Sequence, residues 1–142
     1  ILKQGIGKDI IFDFEKSVAF TGDSGPYLQY TYARLANILD RAGKGDSGDI
    51  SLLNTLEERN IMRHLLDFPT VVSRATDSIS PNIIALYIFE LCDKINRFYE
   101  KIRVLDDEDK NRRGARLVLV RSSAQVLHRG LEILGIKALQ RI

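Results

Sequence analysis

The stretch PNIIALYIFELCDKINRFYEKIRV, residues 81–104, decides the fold. Ile84, Ile88, Leu91, Ile95, Phe98 and Ile102 recur at alternating steps of four and three. On a helix of about 3.6 residues per turn, that rhythm puts all six on one side as a bundle-type seam. Ser80 stands where a helix cap belongs, and Pro81 suits the first turn. A seam of this length needs other helices to cover it.

The flanking sequence supplies them. After the acidic turn DDEDK (106–110), a helix is predicted over 110–134, stopped by Gly135. It carries Leu117, Val120, Ala124, Leu127, Leu131 and Leu134 on one stripe, and Ala115, Leu119, Val126 and Ile133 on another. A helix apolar on two sides belongs at the centre. Upstream, Pro69 is expected to end a helix over 52–67 and start a separate one over 70–79. The segment 43–48 holds three glycines and reads as an exposed, mobile loop. Before it, Ser24 as cap and Pro26 in the first turn open a helix over 27–42, with a core stripe of Leu28, Tyr32, Leu35 and Leu39. Asp13 is expected to cap a short helix with Phe14, Val18 and Ala19 on one side. No segment alternates like a strand. The expected fold is an all-α bundle of about five to six helices.

Composition agrees. The chain has 142 residues, 44% hydrophobic and 28% charged, which suits one compact domain. The single cysteine, Cys92, excludes an internal disulfide framework and reads as core within its helix. No apolar run approaches the about 18–20 residues of a membrane span. The chain opens on Ile1 without a signal peptide and has only Met62 as methionine. It is read as a piece of a longer protein from a reducing compartment. The net charge is +2, unevenly spread: residues 1–100 carry 11 Lys/Arg and 14 Asp/Glu, and residues 101–142 carry 10 and 5. The basic end suits either a solvated helix face or phosphate contact.

Catalytic equipment is absent. There is no phosphate loop, no dinucleotide fingerprint and no metal-ligand spacing. His64 and His128 stand alone and read as surface or core-edge residues. Asp106, Asp107, Glu108 and Asp109 read as a cap and solvated loop. The informative row is Tyr27, Tyr30, Arg34, Asn37 and Arg41, spaced at +3, +4, +3, +4 on the first long helix. Tyrosine rings stack on unpaired bases and arginines hold phosphates, so this face suits RNA. The same tyrosines could instead pack against a neighbouring helix with their hydroxyls in water. Tyr99, with Asn96 and Arg103 within a turn, is a further boundary aromatic. Arg112, Arg113 and Arg116 could form a basic ridge, but a solvated helix face is the safer reading of them.

Several stretches carry a resemblance. Gly25-Pro26-Tyr27-Leu28-Gln29-Tyr30-Thr31-Tyr32-Ala33-Arg34 resembles the GPYxQYxxAR helix start of arginyl-tRNA synthetases. In order come Leu65-Leu66-Asp67-Phe68-Pro69, Ser80-Pro81 with Tyr87, Phe98-Tyr99-Glu100, Val104-Leu105, Ala115-Arg116-Leu117 and the close Gly130-Leu131-Glu132-Ile133-Leu134-Gly135-Ile136. Each resembles a motif of that family's C-terminal DALR anticodon-binding domain. The sequence departs at its end, Ala138-Leu139-Gln140-Arg141-Ile142 where the family often ends APxRM, and at Asn82 where the family often has His.

The resemblance implies an all-helical module over 21–142, preceded by a connector (1–20) from a catalytic domain of the same chain. It implies recognition of the anticodon stem-loop of arginine tRNA by Tyr27, Gln29, Tyr30, Arg34, Tyr99, Arg116, Arg141 and Ile142. Catalytic residues, metal and cofactor are expected to be absent from this piece. Arginylation with ATP and magnesium would belong to the parent arginine–tRNA ligase, a cytoplasmic enzyme with neither DNA nor membrane as partner. The rival reading is a helical protein–protein interaction domain using the same aromatic face. Salt separates the two, because RNA binding weakens steeply as salt rises.

Overall fold

The computed structural model describes residues 3–5, 13–18, 24–43 and 47–139. Among these residues there are helices and no strands. In chain order they are α1 (Phe14–Val18), α2 (Gly25–Ala42), a 3-10 turn (Ile50–Leu52), α3 (Leu56–Asp77), α4 (Asn82–Lys101) and α5 (Lys110–Ile133). Four of these are long and build the bundle, so the expected count of five to six was slightly high.

The difference arises at Pro69. α3 runs through it for 22 residues instead of breaking. Proline removes one backbone donor and crowds the preceding turn. Here Pro69 lies on the exposed side beside Leu66 and Asp67, where water can serve the freed carbonyl. On the inner side Ile61, His64 and Ala75 are buried, and Phe68, Val71 and Val72 pack against the core. That packing holds both halves in one helix.

The helix starts follow local chemistry. Ser24 Oγ accepts from the Tyr27 N–H at 3.1 Å, with Pro26 just behind it. Thr55 and Glu58 form a reciprocal capping box at the head of α3. Asp109 accepts from the N–H groups of Asn111 and Arg112 to open α5. Ser80 does not cap α4: its hydroxyl donates to the Ser78 carbonyl, and Pro81 occupies the cap position without a side-chain bond.

α5 is central, packing against α2, α3, α4 and the 3-10 turn. Ala115, Leu117, Leu119, Val120, Ala124, Leu127 and Leu131 are all buried, while Val126 and Leu134 are half-buried and Ile133 is exposed, so the second expected stripe turns inward only in its first half. Five residues of the α4 seam are buried and Ile102 is half-buried. The α2 stripe is rotated from the expected one. Leu28, Thr31, Leu35 and Ile38 face the core, while Tyr32 and Leu39 are half-buried at its edge. Phe14 and Val18 of α1 are exposed; Ala19 lies outside the described residues. Residues 47–49 of the glycine-rich segment lie against α5, with Gly48 pressed on the backbone of Gly114 and Ala115. The rest of that loop, 44–46, lies outside the described residues.

Candidate nucleic-acid interface

The site begins with the relation between α2 and α4. With Leu28, Thr31 and Leu35 turned inward, Tyr27, Tyr30 and Arg34 lie along one flank of α2. α4 brings Asp93, Asn96 and Tyr99 against that flank. The Arg34 guanidinium carbon lies 4.8 Å from the Tyr30 ring centroid and 4.6 Å from that of Tyr99. Both distances are within cation–π range. Tyr30 and Tyr99 remain 42% and 45% exposed, so ring surface stays open beside a fixed positive charge.

A directed hydrogen-bond chain underlies this cluster. Arg34 Nη1 donates to Asn96 Oδ1 at 2.6 Å. Asn96 Nδ2 donates to the Tyr27 hydroxyl oxygen at 2.8 Å and to Thr31 Oγ1 at 3.3 Å. The Tyr27 hydroxyl donates to Asp93 Oδ1 at 2.7 Å. Arginine has only donors and an ionised carboxylate only acceptors, so the amide orientation and the hydroxyl proton are fixed by the two ends. Burial, then the bond to Asp93, pushes the Tyr27 phenol well above its ordinary range, keeping it a donor. Its ring lies parallel to Phe89, 6.3 Å between centroids. Tyr27 is thus a half-buried post beneath the platform, while Tyr30 and Tyr99 are its open faces.

The other expected contacts fall elsewhere. Gln29 is half-buried and donates from Nε2 to the Lys137 carbonyl at 2.8 Å, tying α2 to the chain after α5. Arg116 bonds Glu58 and Asp107 and is only 11% exposed, apart from the tyrosine cluster. Arg112 also pairs with Asp107, so the 112–116 ridge is largely internally neutralised. Asp107 itself is enclosed, not solvated, and hydrogen bonding by Arg112 holds its carboxyl down at about 2 despite burial. Arg41 and Asn37 are exposed further along α2. Arg141 and Ile142 lie outside the described residues.

The isolated histidines and the cysteine have ordinary structural surroundings. His64 is stacked on Tyr87, ring centroids 4.2 Å apart, with its Nε2 on the Tyr87 carbonyl. Cys92 is fully buried, and burial pushes its thiol far up. A second groove of about 390 Å³ between α2 and α5 is lined by Tyr32, Leu39, Gln125, His128 and Arg129 among others. Of that lining, Arg129 and His128 already lie against the Glu132 carboxylate. Among the described residues, no group of three or more His, Cys, Asp or Glu could hold a metal, and no helix is long and apolar enough to cross a membrane.

Sequence reasoning missed Asp93 and the bridging role of Asn96. The available signal was their spacing of three on α4, one turn before Tyr99, opposite a helix that presents Tyr27 and Arg34.

The family described as DALR anticodon binding domain matches residues 28–142. An arginine–tRNA ligase of Clostridium beijerinckii is 39% identical over 99% of this chain and 25% of that protein. One from Saccharolobus solfataricus is 38% identical over 100% and 23%. The chain therefore spans about a quarter of the length of these relatives. The arginyl-tRNA synthetase structure of Thermus thermophilus superposes with a TM-score of 0.91 at 34% identity, over 99% of this chain and 25% of that one. The Plasmodium falciparum arginyl-tRNA synthetase shares the fold at a TM-score of 0.85 and 24% identity, over the same shares of the two chains. With the match covering most of its length, the chain belongs to the DALR anticodon binding domain family.

Proposed function

We propose that this chain is the tRNA-reading domain of an arginine–tRNA ligase and receives the anticodon loop of arginine tRNA on the α2–α4 face. The observation that carries this is the pair of exposed rings, Tyr30 and Tyr99, both within 5 Å (4.8 and 4.6 Å to the centroids) of the Arg34 guanidinium carbon. Bases of a single-stranded loop can be splayed out and stacked on such rings. The guanidinium adds a positive charge and planar donors beside them. Arg41 and Arg141 supply further charge for phosphates. Arg116, held between two carboxylates, supports the fold instead. Ile142 would offer an apolar contact at the chain end.

On this reading the chain selects and positions tRNA. Activation of arginine with ATP and magnesium, and its transfer, belong to the remaining three quarters of a parent cytoplasmic enzyme, with residues 1–20 as connector. The similarity to arginine–tRNA ligases and the exposed aromatic–cationic face support this assignment.

A gel-shift titration of the chain with arginine tRNA and a non-cognate tRNA, at several salt concentrations, tests it. Arginine tRNA should bind tighter, and affinity should fall steeply with salt. Tyr30→Ala should weaken binding by roughly tenfold, since one stacked base contributes about 1–3 kcal/mol. Equal binding of both tRNAs by a folded chain would reject selective recognition. Salt-independent capture of a partner protein by the same tyrosines would favour a protein interaction domain.

A further inference from the structure

A stacking platform is useful only if its cation is held where the rings need it. Arginine is long and has many rotamers, so an unrestrained Arg34 would lose much of its freedom on binding. In the free chain its Nη1 is already bonded to Asn96 Oδ1 at 2.6 Å. The amide is in turn fixed by the Tyr27 hydroxyl and by fully buried Thr31. Tyr27 closes the chain on Asp93.

We propose that Asn96 is a positioning residue for RNA binding, holding the Arg34 guanidinium between Tyr30 and Tyr99 and linking it through Tyr27 to Asp93. This rests on the reading of the α2–α4 face as the anticodon-loop surface. The bonds run in one direction, from cation through amide and phenol to carboxylate. Each donor therefore polarises the next. Asn96 need not touch the RNA: it sets the plane and place of the group that does. Asn96 is half-buried, and leucine preserves its approximate bulk while removing both hydrogen-bonding ends.

The test compares wild type, Asn96→Leu, Arg34→Ala and the double variant, using arginine tRNA binding, thermal melting and the guanidinium nitrogen NMR signals of Arg34. Those signals are identified by their loss in Arg34→Ala. Restricted rotation should give separate Nη signals in the wild type that merge in Asn96→Leu. Asn96→Leu should bind arginine tRNA about tenfold more weakly, the scale for losing a hydrogen bond to a charged group that orders a contact. The double variant should be no weaker than Arg34→Ala alone, because Asn96 acts only through Arg34. If leucine at 96 unfolds the chain, Asn96→Ala takes its place in the same cycle. Unchanged affinity in a folded Asn96 variant, additive losses in the cycle, or unchanged Arg34 signals would each overturn the proposal. A wild-type chain that fails to bind arginine tRNA overturns the functional reading and this role together. That is distinct from a wild type that binds arginine tRNA and a folded Asn96 variant that binds it equally well, which overturns this role alone.

Discussion

Arg116 reaches Glu58 through Nε at 2.7 Å and Asp107 through Nη1, and Glu58 has no solvent exposure at all. Burial raises the pKa of Glu58, but the Thr55 backbone bond and Arg116 outweigh it, so the carboxyl stays ionised below its ordinary range. Removing one member of such a group strands the others in a poor dielectric. Arg116→Ala should therefore destabilise the chain by about 3 kcal/mol or more. Tyr30→Ala, at an exposed ring, should change stability by roughly 0.5 kcal/mol or less. Urea denaturation of the two variants checks the contrast; an Arg116 variant as stable as wild type would return that residue to the candidate contacts. The family resemblance made both Arg34 and Arg116 candidate RNA contacts. Arg34 lies in a row with tyrosines, which was visible. The fate of Arg116 depends on Glu58, which lies 58 positions earlier and meets it only through the packing of α3 on α5.

At the scale of elements, the strongest constraint is where a loop crosses a helix. A Cβ on Gly48 would collide with the α5 backbone at Asn111, Gly114 and Ala115, and one on Gly114 would strike the Ser47 carbonyl. The two glycines let the chain before the 3-10 turn rest directly on α5. Gly48→Ala should force that segment away and destabilise the domain by about 1–3 kcal/mol, the range for overpacking. Gly43→Ala meets no such neighbour, but Gly43 has φ of 76°, so its penalty is backbone strain alone. Paired denaturant titrations separate them: a Gly48 variant as stable as wild type would show that the close approach carries no energy. The glycines were legible only as a flexible loop, because composition reveals permissiveness and not the surface that uses it. Pro69 misled in the opposite sense: a local helix breaker was overruled by burial on the other side of α3. The capping box was written in Thr55-Leu56-Glu57-Glu58, yet apolar spacing alone started that helix at residue 52, ahead of the cap that sets its true beginning at Leu56.

For the whole molecule, the buried ionisable groups set the response to acid. His64 packs between α3 and α4, and burial lowers its pKa even though the Tyr87 carbonyl opposes that shift. In the unfolded chain a histidine takes up its proton near pH 6.5, about the reference value. The unfolded state therefore binds more protons than the folded state just below that pH. Stability present above it declines as pH falls, until the folded His64 also titrates. The slope from one such group is at most about 1.4 kcal/mol per pH unit. Asp107 and Glu58 then add a second decline. Their folded pKa values are depressed, Asp107 to about 2, against unfolded values near 4. Their contribution is complete above about pH 4 and disappears as pH falls towards 2. The expected profile of stability against pH has two descending limbs, one starting below about 6.5 and one below about 4. His64→Gln should flatten the first limb and leave the second. Arg116→Ala should change the second and leave the first. Denaturation midpoints measured from pH 8 to pH 3 test both at once. The α2–α4 platform lies outside these groups, so RNA binding between pH 7 and 5 should fall only with the fraction of unfolded chain; a steeper loss would show that a titrating group acts on the platform itself.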